Sequence, residues 1–447
     1  MHFDTLQGWL GWQETLHPKS IDLGLTRVLE VYKRMPCVAK KPVTITVAGT
    51  NGKGSCIAFL EAIYRAADYS VGSYTSPHIV RYNERIKING IAVSDAHICA
   101  SFERIEAARE NVSLSYFEFN TLAALDIFAR AGVDIQLLEV GLGGRLDAVN
   151  IIDADATLIS SISIDHTAWL GNTRDSIGYE KAGIFRTGVN AIIGDPEPPQ
   201  SLLEHAHKIQ APLLRIGHEF NYQKKATDWA LSIKDKQFPA LPFPALKGEH
   251  QYRNAATALT AAHTLQDKLA VTDNALSLGI SQAKLAGRLQ LIKGQPAVLL
   301  EVGHNPQAAL ALAEHLQSEF KATPIHAVFT MMNDKDLGTV IELMQARVKH
   351  WYISPLDNPR TSSESDIQQA FKDQQIDTIS TGFKDFTSTF QAAKNQAETD
   401  DGLVLIFGSF FLVAEYLSLF GTHTTGAQVS KQPSTTPEKP QSRTQGK

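Results

Sequence analysis

The stretch Val43-Thr-Ile-Thr-Val-Ala-Gly-Thr-Asn-Gly-Lys-Gly-Ser-Cys56, continued by Ile57-Ala-Phe-Leu-Glu-Ala-Ile-Tyr64, decides the fold of this chain. An apolar, β-rich run ends in a glycine-rich turn, passes through Lys-Gly-Ser and enters a helical pattern. Strand, glycine turn and helix in that order wrap nucleotide phosphates in backbone N–H groups. Glycine belongs where φ is positive or where the backbone approaches an oxygen closely. Lys53 has the length to reach β/γ-phosphates, and Ser55 the hydroxyl to approach a magnesium ion. The stretch Gly49–Ser55 is one residue shorter than the general G-x-x-x-x-G-K-[S/T] pattern, and Gly54 separates lysine from serine. An isolated Gly-Lys pair would be only a turn; the flanking strand and helix favour phosphate binding.

With 447 residues the chain is long enough for two or three domains of ~150 residues. Its 43% hydrophobic and 20% charged residues are those of an ordinary globular protein, and a net charge of −5 argues against a nucleic-acid surface. No run of ~18 apolar residues is present to span a bilayer. Met1-His-Phe-Asp-Thr-Leu-Gln7 lacks a basic-then-apolar signal pattern. Three scattered cysteines, Cys37, Cys56 and Cys99, suit a reducing cytoplasm and match no zinc spacing. Residues 422–447 are rich in Thr, Ser, Gln, Pro and Lys and nearly free of large apolar groups. Such a segment buries too little surface to offset its ordering entropy, so a disordered, basic tail is expected.

Residues 1–290 alternate strand-like and helix-like patterns. After the phosphate loop come a helix to about Asp68, a short run Val71–Thr75 and a hairpin Arg85–Val93 turning at Asn89-Gly90. Helices follow near 95–110 and 118–131. Asp134–Val140 and Ala156–Ser160 read as buried parallel strands, and a helix begins near Thr173. Short strands and prolines between about 210 and 245 suggest a small subsheet, and Glu249–Leu269 a long helix. From about 295 a second βαβ pattern starts, with strands at Ala297–Val302, Ile325–Thr330, Trp351–Ser354 and Leu403–Phe407 and helices at Ala308–Phe320 and Phe410–Phe420. The fold class is α/β, with a boundary within Ala283–Arg288. Open α/β sheets bind ligands at the carboxyl ends of their strands, so two facing sheets create a cleft for a two-substrate enzyme.

Several polar groups sit at those strand ends. Glu139 closes an apolar run and can hold Mg²⁺ directly or through water; a capping or salt-bridged Glu is the alternative. Three glycines in the next five residues imply close backbone approach, to a ligand or to a neighbouring loop. Asp165 and His166 follow the next strand, where a neutral imidazole beside a carboxylate is a plausible ligand. Lys181 lies on a helix leading away; it is either a charge partner for phosphate or a solvated helical lysine. Glu301-Val-Gly-His-Asn-Pro306 and Asn333-Asp-Lys-Asp336 are further strand-end loops, individually weak because any such loop contains these residue types.

Together the motifs resemble those of the folylpolyglutamate synthase/dihydrofolate synthase family, within the Mur ligase superfamily. The matching motifs are Gly49–Ser55, Thr75-Ser-Pro-His78 with Asn83-Glu-Arg-Ile86, Leu138–Asp147, Asp165-His-Thr167 with Leu170-Gly171, and Glu180-Lys-Ala-Gly-Ile184. They continue with His250-x-x-x-Asn254-Ala-Ala256, Gly287-Arg-x-Gln290, His304-Asn-Pro306, Asp334-Lys-Asp336 and Gly408-Ser-Phe410. They run in family order from residue 20 to about 415. The resemblance implies a P-loop-containing, Mur-ligase-like ATP-binding domain with a pterin/folate pocket over 1–287. A smaller Rossmann-like C-terminal glutamate-ligase domain would cover 288–421, before the tail at 422–447.

It further implies an ATP-dependent carboxylate–amine ligase working through an acyl phosphate, whose phosphoryl transfer needs positioning and charge neutralisation rather than a protein nucleophile. By position, Gly52, Lys53, Gly54 and Ser55 would bind ATP phosphates, and Asn254, Arg288, Glu301 and His304 the rest of the nucleotide. Ser76, Glu139 and His166 match magnesium ligands. Lys181 matches a lysine that is carbamylated in the family, which would make it an oxygen donor for a second Mg²⁺. Lys53, His166 and Lys181 are the expected catalytic set. Asp22, Leu23, Gly24 and Leu25 resemble the dihydropteroate-binding segment of bifunctional members. Phe117, Glu118 and Phe119, with Leu146, Asp147 and Ala148, resemble other parts of that pocket. Two departures stand out: Glu301 where the family usually has Asp, and Ala286 where Pro is frequent. The expected substrates are ATP, L-glutamate, 7,8-dihydropteroate and tetrahydrofolate, and the expected state is a cytoplasmic monomer with no nucleic-acid or membrane partner. A peptidoglycan Mur ligase shares fold and mechanism, but it resembles Gly-Lys-Thr-Thr where this chain has Lys53-Gly-Ser55. A nucleotide-binding scaffold without chemistry would not need Lys53, Glu139, His166 and Lys181 together.

Overall fold

A computed structural model describes residues 3–19, 21–36 and 41–421. The tail at 422–447 and Cys37 lie outside the described residues.

The first sheet has eight strands, β1 (Val43–Ala48), β2 (Val71–Tyr74), β3 (Ile86–Ile88), β4 (Ile91–Ala92), β5 (Ile135–Glu139), β6 (Ala156–Ile159), β7 (Ala191–Ile193) and β8 (Leu213–Arg215). Their order is β4-β3-β2-β5-β1-β6-β7-β8. From β2 to β8 neighbours run parallel, while β3 and β4 form the antiparallel edge anticipated at Asn89-Gly90. The central strands are apolar on both faces because both faces are covered. One face packs Leu138 and Ala48 against Trp9, Phe102, Phe119 and Phe128; the other packs Ile45, Val47 and Leu137 against Phe59, Tyr64 and Leu259. A small antiparallel sheet, β9 (Phe220–Lys224), β10 (Trp229–Ile233) and β11 (Lys236–Leu241), is the subsheet expected there.

The third sheet comprises β12 (Gln290–Ile292), β13 (Ala297–Glu301), β14 (Ile325–Phe329), β15 (His350–Ile353), β16 (Ile379–Ser380) and β17 (Leu403–Phe407), ordered β12-β13-β17-β14-β15-β16. All but β12 run parallel, with a core on each face.

Among the helices that the sequence reading did not name are Leu6–Leu16 and Thr26–Arg34. The first contains Gly8 and Gly11, which weaken local propensity. Tertiary packing overrides this: Trp9 is fully buried and meets Phe3, Trp12 and Phe102 at ring-centroid distances of 5.2–5.9 Å. The helix read over Glu249–Leu269 spans only His250–Thr264; it tightens and stops where Leu265 N donates to Ala262 O.

Candidate active site

β1 and β5 are in register with Val47 opposite Glu139, so the carboxylate reaches the sheet end just where the phosphate loop departs. The helix Lys53–Ala66 starts inside that loop and aims its free N–H groups at the same point. Gly52 has φ +88°, and a Cβ on it would lie 2.7 Å from Asn254 Oδ1, so only glycine fits between this turn and the helix His250–Thr264. Asn254 is fixed in turn by donating to Gln251 Oε1 at 3.1 Å, while Gln251 Nε2 donates to Ser55 Oγ at 3.3 Å.

Two lysines converge on one carbonyl. Lys53 Nζ donates to Gly49 O at 3.0 Å and to Thr50 O at 3.2 Å. Lys181 Nζ donates to Gly49 O at 2.9 Å from the opposite side. Of the two readings of Lys181, the solvated one fails: the side chain is buried and turned into the site. Burial, then the neighbouring Lys53 charge, brings its pKa down to about 7. Burial likewise lowers Lys53, against the attraction of Glu139 and Asp165. Gly49, Thr50, Gly141, Gly143, Asp165, His166 and the two lysines line one small polar pocket.

Glu139 is buried and accepts from Ser76 N at 3.2 Å; burial raises its pKa against the pull of Lys53. Ser76 and Glu139 are thus adjacent. His166 stands at the solvent-exposed rim with left-handed backbone, φ +52°, its N–H donating to Asp165 Oδ1 at 2.8 Å. Partial burial of its ring, reinforced by the positive charges of Lys335, Lys53 and Lys181 against the pull of Asp165, lowers its pKa to about 4, so the imidazole is neutral and able to ligate. Among the described residues no three His, Cys, Asp or Glu side chains converge as a metal cage. A dedicated zinc or calcium cage is therefore absent from them. One buried carboxylate, one hydroxyl and one neutral imidazole do fit Mg²⁺, which keeps water and takes substrate phosphate oxygens.

The nucleotide side of the cleft joins both sheets. Asn51, Gly52, Ser55, Gln251 and Asn254 line one open pocket together with Arg288, Glu301 and Gln307. Glu301 accepts from Leu289 N at 2.9 Å and Gly303 N at 2.7 Å, with Arg288 Nη1 at 3.6 Å. The longer side chain is thereby held against its own loop. Arg288 stacks over Phe410, 5.4 Å from its ring centre. His304 Nδ1 lies 3.0 Å from Val302 O and so carries the proton there.

The expected pterin segments also come together. Gly24 N donates to Leu146 O at 3.2 Å. Arg27 links them, donating to Asp22 Oδ2 at 2.5 Å and to Glu118 Oε1 at 3.1 Å. Leu23, Leu25, Leu146 and Phe117 are half-buried at this junction. Four of the residues expected in this pocket are buried in the structure. Phe119 is fully buried and packs on Phe102 and Trp12 at 5.3 and 5.8 Å, a core residue because helical spacing turns it away from Phe117. Glu118 caps its own helix, accepting from Ser115 N at 2.7 Å. Asp147, raised to about 6 by burial, accepts from Gly141 N, Leu142 N and Val149 N at 2.9–3.0 Å and braces the glycine loop. Ala148 is buried as well. The glycine run approaches a neighbouring element: a Cβ on Gly144 would sit 2.9 Å from the carbonyl oxygens of Glu180 and Lys181.

Sequence reasoning singled out no partner for Asn51. It exchanges hydrogen bonds with Asn305 (3.1 and 3.0 Å) and donates to Gln307 Oε1 at 2.6 Å. Arg85 is held by His78 Nδ1 at 2.8 Å and lies 5.8 and 5.7 Å from the Tyr82 and Tyr116 ring centres. Both residues fall inside motifs quoted above, but only the folded chain shows what they touch.

Known proteins share this arrangement. The sequence pattern of the Mur ligase, glutamate ligase domain matches residues 287–410. The dihydrofolate synthase/folylpolyglutamate synthase of Escherichia coli K12 is 42% identical over 95% of this chain and 97% of its own. The structure of E. coli FolC in complex with DHPP and ADP superposes with a TM-score of 0.87 at 41% identity, covering 93% of this chain and 97% of that one. The Yersinia pestis bifunctional folylpolyglutamate synthase/dihydrofolate synthase complexed with AMPPNP and Mn ion gives 0.87 at 40% identity, covering 94% and 98%. The chain belongs to the dihydrofolate synthase/folylpolyglutamate synthase family.

Proposed function

We propose that this enzyme ligates L-glutamate to 7,8-dihydropteroate, and further glutamates to tetrahydrofolate, using ATP to activate the acceptor carboxylate. The observation that carries this is the meeting of two lysines, Lys53 half-buried and Lys181 buried, at the Gly49 carbonyl, at 3.0 and 2.9 Å, in a pocket rimmed by Asp165 and His166. Such a pocket suits a transferring phosphoryl group, whose transfer rests on positioning and charge neutralisation.

The chain's own groups divide the work. Backbone N–H groups from Gly52 to Ser55 cradle the phosphates, and Lys53 turns from its loop carbonyls to the β/γ-oxygens. Asn254, Arg288, Glu301 and His304 hold the remainder of the nucleotide between residues 1–287 and 288–421, the two proposed domains. The acceptor carboxylate, delivered by the pocket around Asp22–Leu25, Phe117 and Leu146, attacks the γ-phosphorus as the bond to ADP breaks. The glutamate amine then adds to the acyl-phosphate carbon, and the tetrahedral intermediate expels phosphate. Ser76, Glu139 and His166 would hold Mg²⁺, which supplies charge neutralisation at the phosphates. At a pKa of about 7, Lys181 is partly a free amine at neutral pH, the form that adds CO₂. As a carbamate it would offer oxygen to a second Mg²⁺. We assign a monomer in the cytoplasm, where ATP and folates meet; among the described residues no helix is long and apolar enough to cross a membrane.

ADP release with ATP, Mg²⁺ and glutamate tests this. Dihydropteroate and tetrahydrofolate should both support turnover, and a UDP-linked muramyl acid should not. Turnover with the muramyl acceptor alone would overturn the folate assignment; turnover with tetrahydrofolate alone would remove the first half of it.

A further inference from the structure

One ion pair crosses the cleft almost out of water. Lys335 Nζ, in the loop after β14, lies 2.7 Å from Asp165 Oδ1, with the two side chains 6% and 10% exposed. The same oxygen accepts the His166 N–H at 2.8 Å. The other oxygen, Oδ2, is 3.4 Å from Asn305 Nδ2. Asn305 in turn exchanges hydrogen bonds with Asn51 of the phosphate loop. His166 needs this support, because its backbone is left-handed at φ +52°, ψ +40°, a conformation that L-residues adopt at a cost. The neighbouring acid Asp334 is taken by Arg360 at 2.9 Å and is 3.5 Å from Lys335, so Asp165 is the closer anion for the lysine.

We propose that Lys335 is a positioning residue: by pairing with Asp165 from the opposite sheet, it holds the loop that presents His166, so that docking of the C-terminal unit completes the metal site. This rests on the reading of His166 as a magnesium ligand. Removing the lysine strands a buried carboxylate, which must then turn to water and release the His166 N–H. A pair that only fastened the two units together would duplicate Asn51–Asn305 and leave the ligand set unchanged.

The test uses Mn²⁺ and a methylene-bridged ATP analogue on the full-length protein, read by pulsed electron paramagnetic resonance for ¹⁴N coupling from a bound imidazole. Wild type and Lys335→Arg should show the coupling. Lys335→Met should lose it and bind the Mn²⁺–nucleotide ~10-fold or more weakly, in the range that supporting residues of metal sites command. Loss of coupling in His166→Ala identifies the imidazole. Coupling that persists in Lys335→Met, with affinity unchanged, overturns the positioning role and leaves Lys335 to act on substrate. Coupling absent from wild type or retained in His166→Ala overturns the His166 assignment itself. If Lys335→Met does not fold by circular dichroism, Asp165→Asn, nearly equal in volume, decides by the same signal.

Discussion

Lys181 concentrates the chemistry at the level of single residues. Its pKa of about 7, set by burial and by Lys53, means that protonation would compete with the proposed carbamate formation in the physiological range. The amine that adds CO₂ is the neutral form, so kcat should fall as pH drops through about 7, and added bicarbonate should partly restore it. The same shift acts on stability with a definite sign. Between about 7 and its ordinary 10.5 the unfolded lysine binds more proton than the folded one, so stability rises with pH across that window. Lys181→Ala should lower kcat ~100-fold or more while nucleotide affinity, measured by calorimetry, stays nearly unchanged. Full activity in that variant would refute the carbamate role. Glu301 tests a different contact. Shortening it to Asp withdraws the carboxylate from Leu289 N and Gly303 N, each worth about 1 kcal/mol. Glu301→Asp should raise KM for ATP several-fold with kcat little changed, and a KM equal to wild type would show that the loop relaxes to follow the shorter chain.

At the level of elements, the loop from Gly141 to Asp147 joins the phosphate loop to the proposed acceptor pocket. Asp147 ties its start by two backbone N–H groups, and Gly144 packs its end directly on the helix Arg174–Ala182 that carries Lys181. Gly144→Ala would push that helix back from the loop. A loss of about 1–3 kcal/mol in urea unfolding is expected, with a larger proportional loss of activity because Lys181 moves. Activity falling no further than stability would separate the loop from the site. The central strands, the hairpin at Asn89-Gly90 and the subsheet were legible because periodicity and turn chemistry are local. The helix Leu6–Leu16 was not, because its glycines oppose the helix and only Trp9, buried against Phe102 of a distant helix, supports it. Phe119 shows the same limit in the site: Phe117, two residues before it, lines the junction, but which of the two aromatics faces inward is set by how the helix sits, not by the motif. Lys53 and Glu139 could be picked out because strand–turn–helix and strand-end positions are local, and Ser76 and Lys181 joined them through the motifs of the resembling family; Asn51–Asn305 and Asp165–Lys335 pair residues more than 100 positions apart and needed the folded chain.

Across the whole molecule, two parallel sheets turn their carboxyl ends toward one cleft. The first supplies the phosphate loop, Glu139 and His166, and the second supplies Arg288, Glu301 and Lys335. In the proposed reading neither set alone would surround a nucleotide, so ATP use would depend on the second unit as well as the first. The claim at the centre of this account is that ATP activates the acceptor carboxylate as an acyl phosphate. Its most direct test is turnover with dihydropteroate labelled with ¹⁸O in the carboxylate, followed by mass spectrometry of the products. One ¹⁸O should appear in inorganic phosphate for each amide formed; label recovered in AMP, or phosphate without label, would contradict it.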